Sequence, residues 1–327
     1  MSPTFLKTHH IHQITLPTPF LVGPVHVYLI EGDALTLVDT GPNTTEAWEV
    51  LTKSLKVRGY QPEDIDQIIL THHHPDHAGL TYCFAETAEI KGNWKNNYWL
   101  EADSEFFSNI IAFFSTLYDR LNVPLRLKNK ILKENKNYMR MMKTTTLSSS
   151  LKNEDLIDGL SGWKIIETPG HAQTHVSMLR EEDGCFIGGD HILGHISSNA
   201  IIEAPYPGEK NRSRSLLQYR KALEKCAHLP IDKVHPGHGE TVINVNDLIN
   251  TRLKDQEARA EQLLNLLKKH GSKDCYQICA LFFKEVVDIQ PDLTMSEILG
   301  HLDLLEEKNL LSVTVQKNKL YYSAYKG

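Results

Sequence analysis

No apolar run in the 327-residue chain approaches the roughly 18 residues that a helical membrane span needs, so a transmembrane anchor is not expected. The amino-terminal residues show no charged, then apolar, then small-residue cleavage pattern, and the expected location is the cytoplasm. Cysteine is scarce. The five present are odd in number and mostly scattered, which suits reduced thiols and not a disulfide framework. Cys275 and Cys279, one helical turn apart, read as two small buried residues on a helix. Excess positive charge is missing as well: a formal charge of −6 gives no overall field for nucleic acid. With 41% apolar residues the chain can bury a full core, as one large domain or as a large and a small one.

Strand-like and helical runs alternate along the first part, the pattern of a mixed α/β chain. Val25, Val27 and Leu29 alternate before the turn Glu31-Gly32-Asp33, and Leu35 to Val38 follows, which predicts a hairpin. Residues 44 to 58 place Ala47, Trp48, Leu51 and Leu55 at helical spacing before Gly59. Ile65, Ile68, Ile69 and Leu70 form a short apolar run that ends at a histidine cluster. Further strand-like runs occur at residues 163–166 and 185–187.

Residues 92–145 interrupt this alternation with Trp94, Tyr98, Trp99, Phe106, Phe107, Phe113, Phe114 and Tyr118, and read as a helical insertion. Eight basic residues from Arg120 to Lys143 face the single acid Glu134. They read as a solvated helix face, or alternatively as a lid that attracts an anionic substrate. Ser148-Ser149-Ser150 reads as a returning loop. Beyond residue 246 the pattern changes. An amphipathic helix from Leu248 to Leu267 stops at His270-Gly271, and two helical patterns follow at 276–287 and 296–308. The two strand-like runs 311–315 and 320–322 flank a turn at Lys317-Asn318-Lys319. Helix, helix and a two-stranded wing predict a small winged-helix domain over 246–327, after a larger catalytic domain over 1–245.

Chemistry concentrates at Thr71-His72-His73-His74-Pro75-Asp76-His77. In a tight turn His72 and His74 can aim two imidazoles at one ion, while Asp76 and His77 can serve a second beside it. His171 and His238 each follow a Pro-Gly pair that turns the chain sharply, so each ion gains a third ligand. Asp190, after the strand ending at Ile187, can bridge the two. Imidazole with carboxylate suits zinc, and also iron or manganese. The isolated His9, His10, His12, His26, His228 and His301 read as surface or packing residues. His73, His175, His191, His195 and His235 lie near the motifs without a required place in them.

The order His72-x-His74-x-Asp76-His77, His171, Asp190 and His238 resembles the metallo-β-lactamase-fold hydrolases, and Val38-Asp39-Thr40-Gly41 is similar to their first motif. The resemblance covers roughly residues 20 to 245. It implies a four-layer αββα sandwich with the site at one edge between two sheets. It further implies that His72, His74 and His171 hold one metal, that Asp76, His77 and His238 hold the other, and that Asp190 bridges. Asp39 would orient a ligand histidine through a hydrogen bond. The C-terminal region resembles the winged helix of the branch that includes β-lactamase-like endoribonucleases.

Two divalent ions, zinc foremost, imply hydrolysis by a metal-bridging hydroxide, with Asp76 accepting or steering its proton. No cysteine stands at a ligand position, which disfavours an antibiotic-hydrolysing lactamase with a cysteine ligand. His74 stands where oxygen-reducing diiron relatives carry an acid. The expected function is therefore hydrolysis of a small, anionic ester, thioester or lactone, resembling glyoxalase II and the lactonases. Two alternatives are a single-strand endoribonuclease and a winged-helix binding or regulatory module. The acidic total charge and the lack of basic runs interleaved with aromatics disfavour nucleic acid; a homodimer is compatible with the sequence.

Overall fold

The computed structural model describes residues 10–325; His9 lies outside them. Strands β1 (His10–Leu16), β2 (Val25–Glu31), β3 (Leu35–Val38), β4 (Gln67–Ile69), β5 (Glu89–Gly92) and β6 (Ser149–Ser150) form one sheet in that order. The first three are antiparallel and the rest run parallel. Strands β7 (Trp163–Glu167), β8 (Val176–Arg180), β9 (Cys185–Gly189) and β10 (Lys233–Pro236) form a second sheet, in which only the β9–β10 pair is parallel.

Side-chain alternation explains how the sheets stack. Tyr28, Ile30, Val38 and Ile69 of the first sheet meet Trp163, Ile165, Val176, Met178 and Ile187 of the second in one apolar cluster. Their sequence neighbours Leu29, Leu37 and Ile68 point the other way and join Ala47, Leu51 and Leu55 of helix α1 (Thr45–Val57). On the far side, Ile166, Leu179 and Phe186 join residues of the helices that cover the second sheet. The result is two facing sheets clad by helices.

Helix α2 (Pro75–Ala78) follows β4 directly. The predicted insertion contains α3 (Asn96–Leu100), α4 (Ser104–Arg120) and α5 (Leu125–Tyr138). Asp103 caps α4 by accepting from the Phe106 amide, and Phe106, Ile110, Phe114 and Leu117 turn its apolar face inward. Helix α6 (Ser215–Ala227) lies between β9 and β10 in sequence.

The C-terminal region comprises α7 (Val245–His270), β11 (Lys273–Asp274), α8 (Cys275–Phe283), α9 (Val286–Ile289), α10 (Pro291–Glu307), β12 (Leu311–Gln316) and β13 (Lys319–Ala324). The last two make the expected hairpin, and β11 adds a third strand beside β13. A single apolar cluster runs from the first sheet through the insertion into α7, α8 and α10, so this region shares its core with the rest of the chain. Arg212 clamps Asp303 of α10 with two bonds of 2.7 and 2.6 Å. No helix among the described residues is long and apolar enough to cross a membrane.

Several details depart from the sequence reading. Residues 276–287 are not one helix: the chain breaks at Lys284, which adopts a positive φ of 48°. Helix α10 starts five residues earlier than Ser296, with Pro291 in its first turn, where a missing amide costs nothing. The serine loop ends in the short edge strand β6. Strands β1, β5 and β8 had no clear signature; β8, central and buried from Val176 to Leu179, carries no alternation to read.

Candidate metal centre

All the candidate ligands sit where strands end. Residues 70–74 leave β4 in a tight turn, and the first turn of α2 presents Asp76 and His77. His171 lies four residues beyond β7, Asp190 directly follows β9, and His238 lies two residues beyond β10. Folding brings the seven together. One ligand atom each from His72, His74 and His171 lies within 4.8 Å of the others, and the same holds for Asp76, His77 and His238. His72, His77 and Asp190 form a third such group, which places Asp190 between the other two. Its Oδ1 is 3.3 Å from His77 Nε2, and its Oδ2 is 3.5 Å from both His171 Nε2 and His238 Nε2.

The close quarters depend on glycine. A Cβ at Gly237 would come within 2.3 Å of Asp190 Oδ1 and 2.7 Å of His77 Cε1, so no side chain fits beside the cluster there. Gly170 has φ +138° and lies against the Tyr219 backbone, which leaves that turn to glycine as well.

Backbone carbonyls and a carboxylate decide which nitrogen each histidine presents. His238 Nδ1 donates to Pro24 O at 2.7 Å and His171 Nδ1 to Asn199 O at 2.9 Å. Asp39, held at φ 59°, accepts from His77 Nδ1 at 2.8 Å and from the Thr71 hydroxyl at 2.7 Å. With its proton committed to Asp39, Thr71 Oγ1 accepts from His72 Nδ1 at 2.9 Å. In each case Nε2 is left with its lone pair facing the centre. His74 differs, turning Nδ1 inward to 3.0 Å from His171 Nε2.

The electrostatics match a cation site. Burial, reinforced by neighbouring imidazoles, holds His72 and His74 well below the ordinary histidine pKa; burial also lowers His171. For His77 burial is outweighed by Asp190, Asp76 and Asp39, and for His238 by Asp190 and Asp76, so both are raised. Against the pull of burial, His77 and His238 keep Asp190 well below the carboxylate range. His72 Nε2, His77 Nε2, His238 Nε2 and Asp190 Oδ1 are buried and have no hydrogen-bond partner. Four such atoms at one point are costly without an electrophile between them, and the donor set fits divalent ions.

Residues outside the predicted set complete the surroundings. His175 Nε2 accepts from the Asp190 amide and its Nδ1 pairs with Thr168. His73 turns away from the ligands, stacks on Trp99 at 4.0 Å and pairs with Thr174. His26 is buried and bonds Gly239 O beneath the His238 turn. Ser198 and Asn199 hold His171, and nothing in sequence links them to a site. A cavity of about 550 Å³ opens from His74, Asp76, His171 and Asp190 toward the insertion and the start of α10. Tyr138 lines it, its ring edge-on to His74 at 6.0 Å. The basic residues expected to greet an anion face elsewhere: Arg126 pairs with Asp288, Lys130 donates to Asp288 O and Ile289 O, and Lys128 pairs with Asp119.

The sequence model of the metallo-beta-lactamase superfamily matches residues 21–102 and 150–238, more than half of the chain. The chain is 37% identical over 321 residues to the probable metallo-hydrolase YqjP of Bacillus subtilis, covering 98% of this chain and all of that one. Its fold is similar to that of a metallo-beta-lactamase family protein from Thermus thermophilus (TM-score 0.79, 24% identity, 96% and 98% of the two chains). A beta-lactamase domain protein from Burkholderia ambifaria is similar over 98% of this chain and 94% of its own (TM-score 0.80, 19% identity).

Proposed function

The chain belongs to the metallo-β-lactamase superfamily and is a metallo-hydrolase, and from that premise we propose that it cleaves small esters, thioesters or lactones at a pair of divalent ions. The carrying observation is the set of buried, unpaired ligand atoms whose opposite ring nitrogens are already engaged. His72 Nε2, His74 Nδ1 and His171 Nε2 would hold one ion. Asp76, His77 Nε2 and His238 Nε2 would hold the second, with Asp190 shared. Mixed imidazole and carboxylate ligation favours zinc. Bound there, such ions supply Lewis acidity and a nucleophile at neutral pH.

The chain's own groups do the rest. Asp76, whose Oδ2 is 3.3 Å from His238 Nε2, would accept and steer the nucleophile's proton. Burial first, and then the carboxylates of Asp76 and Glu203, keep the Tyr138 phenol protonated, so it can donate to a substrate oxygen at the cavity wall. Asp39 and Thr71 keep two ligand rings in the tautomer that binding requires.

We read residues 246–327 as a winged-helix unit that packs on the rest of the chain and does not read nucleic acid. The second helix of such a unit is the one that enters a nucleic-acid groove. Here α10 buries twelve of its residues, among them Asp303, which pairs with Arg212, while Arg214 pairs with its exposed Glu306. This supports the small-molecule reading over an endoribonuclease or a DNA-binding module. Metal analysis of the purified chain should find close to two ions, and His74→Ala should lose metal and turnover together on a panel of esters, thioesters, lactones and single-stranded RNA. A stable wild type that binds no metal and cleaves none of them would refute the reading.

A further inference from the structure

The cavity beside the metal centre is apolar in its depth and carries charge of one sign only. Phe106, Ile110 and Phe114 come from α4, Met139 follows α5, Ile202 comes from the segment after β9, and Leu293 belongs to α10. Beyond the ligands Asp76 and Asp190, its ionisable carboxylates are Glu134, Glu203 and Asp292; among the described residues no lysine or arginine lines it. Glu203 is fixed by two donors, the Gln173 amide at 2.6 Å and the Tyr206 hydroxyl at 2.8 Å. A substrate anion driven into this space would lose its hydration and meet carboxylates. A hydrocarbon chain would lose only water.

Resting on the hydrolase reading above, we propose that the enzyme selects thioesters or esters of uncharged, medium-length acyl groups. The carbonyl is presented at the His74–Asp76–His171–Asp190 end, and the hydrocarbon chain lies between the insertion and α10. Charge at the far end of the acyl chain is excluded, and Arg126, Lys128 and Lys130 of the insertion are engaged with Asp288 and Asp119 and not with this space. The leaving group remains outside this compartment and takes no part in the selection.

The test uses the full chain reconstituted with zinc and four N-acetylcysteamine thioesters: acetyl, hexanoyl, decanoyl and adipoyl, the last a six-carbon acyl group ending in a carboxylate. Transfer of a methylene from water is worth roughly fourfold, so kcat/KM for hexanoyl should exceed that for acetyl by at least about tenfold. Adipoyl should fall at least about tenfold below hexanoyl, the size of a modest like-charge penalty. Leu293→Trp, which fills the cavity wall, should lower the decanoyl-to-acetyl ratio, and Asp292→Asn should recover part of the adipoyl rate; metal content verifies that both variants are folded. Calorimetric binding of acetamide, hexanamide, decanoamide and adipamic acid gives a second readout that needs no turnover. A flat response to chain length, or adipoyl and adipamic acid favoured over their neutral counterparts, overturns the proposal. Tightest binding of decanoamide by protein that cleaves none of the thioesters, esters or lactones would overturn the hydrolase reading and the choice of substrate with it, leaving only the cavity's preference for an uncharged chain.

Discussion

Thr71 joins Asp39 to His72 through one hydroxyl that donates to the first and accepts from the second. Replacing it by valine keeps the shape and removes both bonds, so His72 loses the partner that fixes its tautomer. Thr71→Val should weaken zinc binding by roughly tenfold to a hundredfold in competition with a chelator, the usual cost of losing such a partner; unaltered affinity would show that Asp39 acts through His77 alone. Glu203 offers a second measurement. Burial raises its carboxyl to about 7, against the opposing bonds from Gln173 and Tyr206. Because the folded state holds this proton more tightly than the unfolded chain, its stabilising effect is complete below about pH 4.5 and is lost as pH rises toward 7, amounting to about 3 kcal/mol. Urea unfolding at pH 5 and pH 8 should show that loss in the wild type and a smaller one in Glu203→Gln. The residues that gather at the candidate centre were legible in sequence because histidines packed at two-residue spacing and Pro-Gly-His turns are rare without a metal. Their partners were not: Ser198, Asn199 and the Pro24 carbonyl are ordinary groups placed only by tertiary contact.

Between elements, α6 and α10 pack closely. A Cβ at Gly300 would stand 2.9 Å from Leu216 Cβ, so Gly300→Ala should lower unfolding stability by about 1–3 kcal/mol despite alanine's better helix propensity; a more stable variant would mean that the helices separate at little cost. The insertion is tied to the C-terminal region by Arg126 and Lys130 at Asp288 and Ile289. These groups are exposed, so Arg126→Gln with Lys130→Gln should shift stability by no more than about 1 kcal/mol, and should not raise KM for a charged thioester more than for a neutral one. Helices of this protein announced themselves through apolar stripes and glycine stops, as in α1 and α7. Short strands did not. In β5 and β8 the partners are supplied by neighbouring strands, and single-strand pattern carries little of that information.

Across the whole molecule, the candidate metal centre joins residues from the turn after β4, from α2 and from beyond the ends of three strands in the second sheet, so metal bound there would also contribute to folding. Zinc at a thousandfold excess over its Kd should raise stability by about 4 kcal/mol over chelated protein; a midpoint that ignores zinc would contradict the assignment of the ligands. The C-terminal region was visible in sequence as helices and a hairpin. Its burial against the rest was not, because an apolar stripe does not say what covers it. Asp292, Leu293 and Ser296 of α10 stand in the cavity wall while every metal ligand comes from before residue 240. The tail thus contributes to the wall of a cavity whose reactive end lies wholly in the preceding residues, so a substitution in α10 can change what the cavity admits and leave the candidate ligands untouched.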